Sequence, residues 1–200
     1  QEELKFFLSR FREKYVSCDL IRIGSEGDGG YLHPDLLGNI SYCFSPGVGM
    51  KVDFEKFLSE KYNIKTFMAD GSVKKPPLID KNFKFISKFV GSHSKGNFFT
   101  LSDWIDRSLN FPEDNLILQM DIECSEYDVL TYEDSSTLAL FQTMIIEFHN
   151  LHKMFEKDFL RMITSIFEKI YKNFSICHVH PNNCSNIHTL YGLSVPPVIE

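Results

Sequence analysis

The chain has 200 residues, enough for one domain with a sizeable core. Hydrophobic residues make up 43% and charged residues 24%, the balance of a globular protein rather than a disordered or fibrous one. A net charge of −6 argues against a general nucleic-acid binder, which would carry a basic face, and no apolar run reaches the length of a membrane span.

In chain order, Leu4, Phe7, Leu8, Phe11 and Tyr15 recur at helical spacing, so residues 1–18 read as an amphipathic N-terminal helix and not as a secretion signal. Residues 19–34 read as a short strand, a Gly-rich turn and a second extended piece. The core, 38–200, begins with a strand over 39–46 that ends in a glycine loop. A helix over 52–62 follows, with Phe54, Phe57 and Leu58 on one face. A strand over 64–70 ends on Asp70. "KKPPL" is a break, and 82–92 reads as one strand. A helix over 100–109 offers Ser102 or Asp103 as its cap. A buried strand covers 115–121, a short helix 125–132 and a strand 141–149. The clearest helix covers 156–174, with Phe159, Ile163, Ile166, Phe167 and Ile170 on one face. A strand over 174–180 and one or two extended pieces over 188–200 complete the chain, the last read as cut short after "PPVIE". Strands alternate with helices, which predicts a single α/β domain: a doubly wound, mostly parallel sheet with helices on both faces.

In such sheets ligands bind beyond the carboxyl ends of the strands. The first long strand delivers Ser45, Pro46, Gly47, Val48 and Gly49, and the next ends on Asp70. That offset suits an acid reaching a ribose hydroxyl pair. A dinucleotide site wants a further glycine where this chain has Val52, which points to a nucleoside ligand without phosphates, such as S-adenosylmethionine. Asp121 ends a buried strand and is expected to orient the ligand, bind a metal or act as base. Glu123 and Glu126 read as first-turn helix acids. Glu147 and His149 share one side of their strand, so His149 is the first candidate base. His178 and His180 share another strand face. With Asp121, Glu147 and His149 they could hold a divalent metal, a lesser expectation than a metal-free site. Cys177, Cys184 and His188 match no standard zinc spacing. "GDGGY" reads as a turn in which Asp28, Gly29, Gly30 and Tyr31 flap over the ligand. The five cysteines form no close-set framework, which suggests reduced thiols and a cytoplasmic protein.

"FSPGVGMKVDFEKFLSEKY", "FMAD", "LQMDIECSEYDVL", "IIEFH" and "HVHPNN" together resemble class I S-adenosylmethionine-dependent methyltransferases, and more narrowly the FkbM-type family, over roughly residues 20–200. The resemblance implies a Rossmann-like sheet of seven strands and methyl transfer to a hydroxyl of a sugar or natural-product-like small molecule. By position it places the methionine end of the cofactor near Ser45, Gly47 and Gly49, the ribose on Asp70, and reactive groups near Asp121. His180 is expected to line the acceptor pocket. Cys124 stands where the family has Gly, and a position needing φ > 0 would strain a cysteine. A non-catalytic ligand-binding descendant is therefore the alternative, and a nicotinamide-dependent oxidoreductase, disfavoured by Val52, the third reading.

Overall fold

The apolar runs around residues 44, 67 and 118 lie side by side as parallel strands, buried on both faces as their near-continuous hydrophobicity requires. The computed structural model describes residues 1–27, 29–109, 114–182 and 186–200. Helix α1 (Glu2–Glu13) precedes an antiparallel hairpin, β1 (Leu20–Gly24) and β2 (Gly30–Pro34). Then come β3 (Tyr42–Pro46), α2 (Asp53–Tyr62), β4 (Lys65–Ala69) and β5 (Phe83–Ile86). A short parallel pair, β6 (Phe89–Val90) with β7 (Phe98–Phe99), leads into α3 (Leu101–Ser108). Beyond it lie β8 (Leu116–Met120), α4 (Glu126–Tyr132), α5 (Ser135–Leu138), β9 (Phe141–Ile146) and α6 (Lys157–Ile170). A final hairpin joins β10 (His188–Leu190) to β11 (Leu193–Val195).

The central sheet has five parallel strands in the order β5-β4-β3-β8-β9. The chain winds outward from β3 through β4 to β5, then crosses back to β8 and β9 on the other side. The strand order therefore reverses between β3 and β8, where a crevice opens at the carboxyl ends. Register sets the two faces: Cys43 pairs with Ile117, and Phe44 with Leu118. Cys43 and Ile117 face α2 and the β1–β2 hairpin, in a cluster with Ile23, Phe54 and Leu58. Phe44 and Leu118 face the opposite layer, packed with residues of α1, α3, α4 and α6. Helices thus cover both faces. None is long and apolar enough to cross a membrane.

Among the described residues the sheet holds five strands where seven were expected. Residues 174–180 form no strand. Ile176 bridges Tyr15, and Pro181 and Phe148 bridge Ile199 singly. Pro181 directly follows residues 174–180, Pro196 and Pro197 lie just before Ile199, and a proline has no N–H to give a ladder. The single strand expected over 82–92 also divides. Lys88 N–H closes a tight turn onto the Ile86 carbonyl, and Phe89 then pairs with Phe98 instead of continuing the sheet. Helix α3 is capped by Thr100, whose hydroxyl accepts from Asp103 N–H, and not by Ser102 or Asp103.

The deepest aromatic contact is Phe44, fully buried, stacked on Phe67 at 5.0 Å and edge-on to Trp104 at 5.0 Å. Phe44→Ala opens a cavity in the layer that carries both site loops. It is expected to lower unfolding free energy by about 3–5 kcal/mol, measured by urea denaturation.

Candidate functional site

Two loops meet at the strand-order reversal. Gly47 follows β3 with φ +90°, and a Cβ there would sit 1.6 Å from the Asp121 carbonyl oxygen. Only glycine allows that approach. Gly47 N–H donates to Ala69 C=O at 2.9 Å, and Asp121 N–H to Pro46 C=O at 3.2 Å. Above this contact lies a cavity of about 620 Å³, the size of a small-molecule site. Gly47, Val48 and Gly49 line it, as do Gly29, Tyr31, Asp70 and Asp121.

Asp70 is almost buried and serves as a clasp. One oxygen accepts from Gly49 N–H at 2.8 Å; the other accepts from Ser72 N–H at 2.7 Å and Ser72 Oγ at 2.6 Å. The sequence suggested a carboxylate free to grip a ribose. The structure adds that it anchors the glycine loop to the end of β4. Four residues that sequence reading did not single out also face the cavity: Ser72, Gln119 and the half-exposed rings of Phe89 and Phe98, whose centroids lie 5.4 Å apart.

Ser45 does not reach the cavity. It is fully buried beneath it, bonded to Glu55 and, at 2.8 Å, to Gln119 Oε1. Period-two alternation explains this: Ser45 lies on the Cys43 side of β3, under α2. The Ser45 hydroxyl has one proton to give and lies within donating distance of both the Glu55 carboxyl and Gln119 Oε1, so the two acceptors share it. Burial, partly offset by the Ser45 hydrogen bond, pushes the Glu55 carboxyl up to about 7. Gln119 Nε2 donates onward to Tyr31 Oη at 3.2 Å. Gly30 lies in the hairpin outside the cavity, where a Cβ would strike the Ser25 carbonyl at 1.8 Å. Asp28 falls outside the described residues.

Around His149 four carboxylates converge. Glu126, with no exposed side-chain surface, accepts from His149 N–H at 2.7 Å and lies 3.2 Å from Nδ1. The Tyr127 hydroxyl donates to the His149 carbonyl. The ring is therefore fixed by α4, with Nε2 turned toward Glu123 at 3.5 Å, Asp121 at 3.8 Å and Glu147 at 3.9 Å. Burial opposes a charge on His149, but the Glu126 hydrogen bond and the charges of Glu126, Glu147 and Glu123 outweigh it and push the imidazole up to about 9. Burial, then the Glu147 charge, raises Asp121 to about 7, against the opposing pull of His149. A raised imidazole holds its proton more tightly, which suits the ring to donate from Nε2 toward these carboxylates. Glu126, read from sequence as a helix-dipole acid, is the residue that orients it.

His180 stands apart. It is exposed and stacks on His178 with centroids 6.4 Å apart; its backbone pairs with Glu200, and it does not line the cavity. The loop before α4 is strained. Glu123 has φ +52° and Cys124 φ +78°, with the Cys124 thiol accepting from Asn150 Nδ2 at 2.9 Å. The cysteine does occupy a position that favours glycine.

Comparisons with protein-family models and with curated proteins find no match.

Two outcomes follow from this geometry. Glu55 holds its proton in the folded chain from about 4.5 up to about 7, while the unfolded chain releases it, so folding loses roughly 3 kcal/mol as pH rises across that range. Glu55→Gln keeps an acceptor for Ser45 and removes this loss: urea unfolding is expected to find it equal to the parent near pH 5 and more stable at pH 8. Cys124→Gly is expected to raise stability by about 1 kcal/mol in the same assay by relieving positive-φ strain. A loss instead would mean that the Asn150 contact outweighs that strain.

Proposed function

We propose that the chain binds S-adenosylmethionine in the cavity between β3 and β8 and transfers its methyl group to a hydroxyl of a carbohydrate-like small molecule. The observation that carries this reading is the cavity's placement and lining together. It lies at the strand-order reversal and is built from the glycine loop after β3 and the acid after β4. Among the described residues the lining includes the acids Asp53, Asp70, Asp121 and Glu123 against one lysine, Lys51. Such walls disfavour a pyrophosphate and favour a ligand bearing a sulfonium and an ammonium group. In this reading the five-stranded parallel sheet is the core of a Rossmann-like methyltransferase fold. A cytoplasmic setting with reduced thiols goes with it.

The cofactor supplies an activated methyl group; the chain's task is alignment and proton acceptance. Gly47 and Gly49 let the methionine end approach the backbone. Asp70, with lone pairs beyond those used by Gly49 and Ser72, accepts from ribose hydroxyls. Phe89 and Phe98 offer a ring platform for the adenine. Asp121 lies on both the cavity and the carboxylate cluster, where it can receive the acceptor's hydroxyl proton.

Calorimetric titration with S-adenosylhomocysteine is expected to give one site per chain, weakened at least tenfold by Asp70→Ala. Absence of heat at millimolar ligand would contradict the reading. Cofactor binding without methyl release to any of a broad panel of sugars and polyols would favour a non-catalytic binder.

A further inference from the structure

We infer that Asp121, Glu123 and His149 form a site for one divalent cation of the Mn²⁺ or Mg²⁺ type, on the cavity wall where an acceptor hydroxyl would lie. The inference starts from atoms. One ligand atom from each of the three residues lies within 4.8 Å of the others. Two oxygen or nitrogen ligands of one ion stand at most about 4.4 Å apart, since each bond is about 2.0–2.2 Å. His149 Nε2 already meets this limit with Asp121 at 3.8 Å and with Glu123 at 3.5 Å. The few tenths that remain fall to Glu123, whose side chain is 84% exposed and free to swing inward.

Two further observations point to a ligand and not to a solvated acidic patch. Asp121 is part-buried, and its Oδ1, shut off from solvent and facing the cluster, has no hydrogen-bond partner among the described residues. A buried acceptor left unmatched is costly unless something fills its lone pairs. His149 is nine-tenths buried, and its other nitrogen is committed to fully buried Glu126. That is the second-shell carboxylate arrangement that aims an imidazole at a metal. The ligand set, two carboxylates and one imidazole, is rich in oxygen and suits Mn²⁺ or Mg²⁺ better than a thiophilic ion.

Three protein ligands leave coordination positions open. Asp121 and Glu123 both line the cavity, so the open side faces the space for an acceptor. An ion there would bind an acceptor hydroxyl, and a neighbouring one where two are adjacent, and ease loss of its proton. This consequence rests on the methyl-transfer reading; the metal site itself does not.

The test uses Mn²⁺ alone, added to the EDTA-treated and dialysed full chain, with free aquo-Mn²⁺ followed by electron paramagnetic resonance. One equivalent is expected to bind. Glu123→Gln, at an exposed position that folding does not need, and Asp121→Asn are each expected to weaken it at least tenfold. Circular dichroism confirms that both variants are folded. An undiminished aquo signal at millimolar Mn²⁺ would overturn the site, as would binding that both variants retain. Titration with S-adenosylhomocysteine in EDTA separates the two proposals. Nucleoside binding without Mn²⁺ binding removes the metal and leaves the cavity reading; Mn²⁺ binding without nucleoside binding does the reverse.

Discussion

The space between Gly47 and the Asp121 carbonyl admits a hydrogen atom and nothing larger. A methyl group there would overlap the oxygen at 1.6 Å. This contact locks the loop after β3 to the loop after β8, across the line where strand order reverses. Everything at the site follows from it. Gly49 is held where Asp70 can clasp it, and Asp121 is presented to the cavity at one end and to His149 at the other. The layer beneath is equally constrained, because Phe44 and Leu118 are paired neighbours that pack one face of the sheet while Ser45 and Gln119 bond on the other.

The electrostatics of the site are lopsided in a way that structure alone does not require. Four carboxyl groups surround one imidazole, and Glu126 is buried completely. Crowding four acids together, one of them fully buried, costs free energy unless positive charge sits among them. In the chain by itself His149 supplies that charge by holding a proton, and Asp121 relieves part of the strain by rising toward neutral pH. A carboxylate cluster beside a cavity whose lining includes Asp53, Asp70, Asp121 and Glu123 is suited to bind a cation. The strained turn at Glu123 and Cys124 adds to the same picture, since backbone strain of this kind collects where side chains must be aimed.

Much of this was legible in the residues. Near-continuous apolar runs ending in Gly47, Asp70 and Asp121 marked buried parallel strands and their ligand-bearing ends, because side chains there must satisfy both faces. The 3.6-residue period of 156–174 marked α6 for the same reason. What was not legible depended on tertiary context. Alternation puts Ser45 and Pro46 on opposite faces but does not say which face opens on a cavity. A first-turn glutamate looks the same whether it answers a helix dipole or, like Glu126, anchors a histidine brought in from β9. Phe89 reads as an ordinary strand residue until the turn at Lys88 removes it from the sheet and pairs it with Phe98, which the sequence left unassigned. The prolines at 181, 196 and 197 were visible in the sequence, and they were the signal against two further full strands.

The central claim is that the cavity between β3 and β8 holds an adenosyl amino acid. A crystal structure of the complex with S-adenosylhomocysteine tests it most directly. The claim predicts the ribose against Asp70, the amino-acid tail over Gly47 and Gly49, and the adenine beside Phe89 and Phe98. A ligand bound elsewhere, or this cavity left empty at saturating concentration, would contradict it.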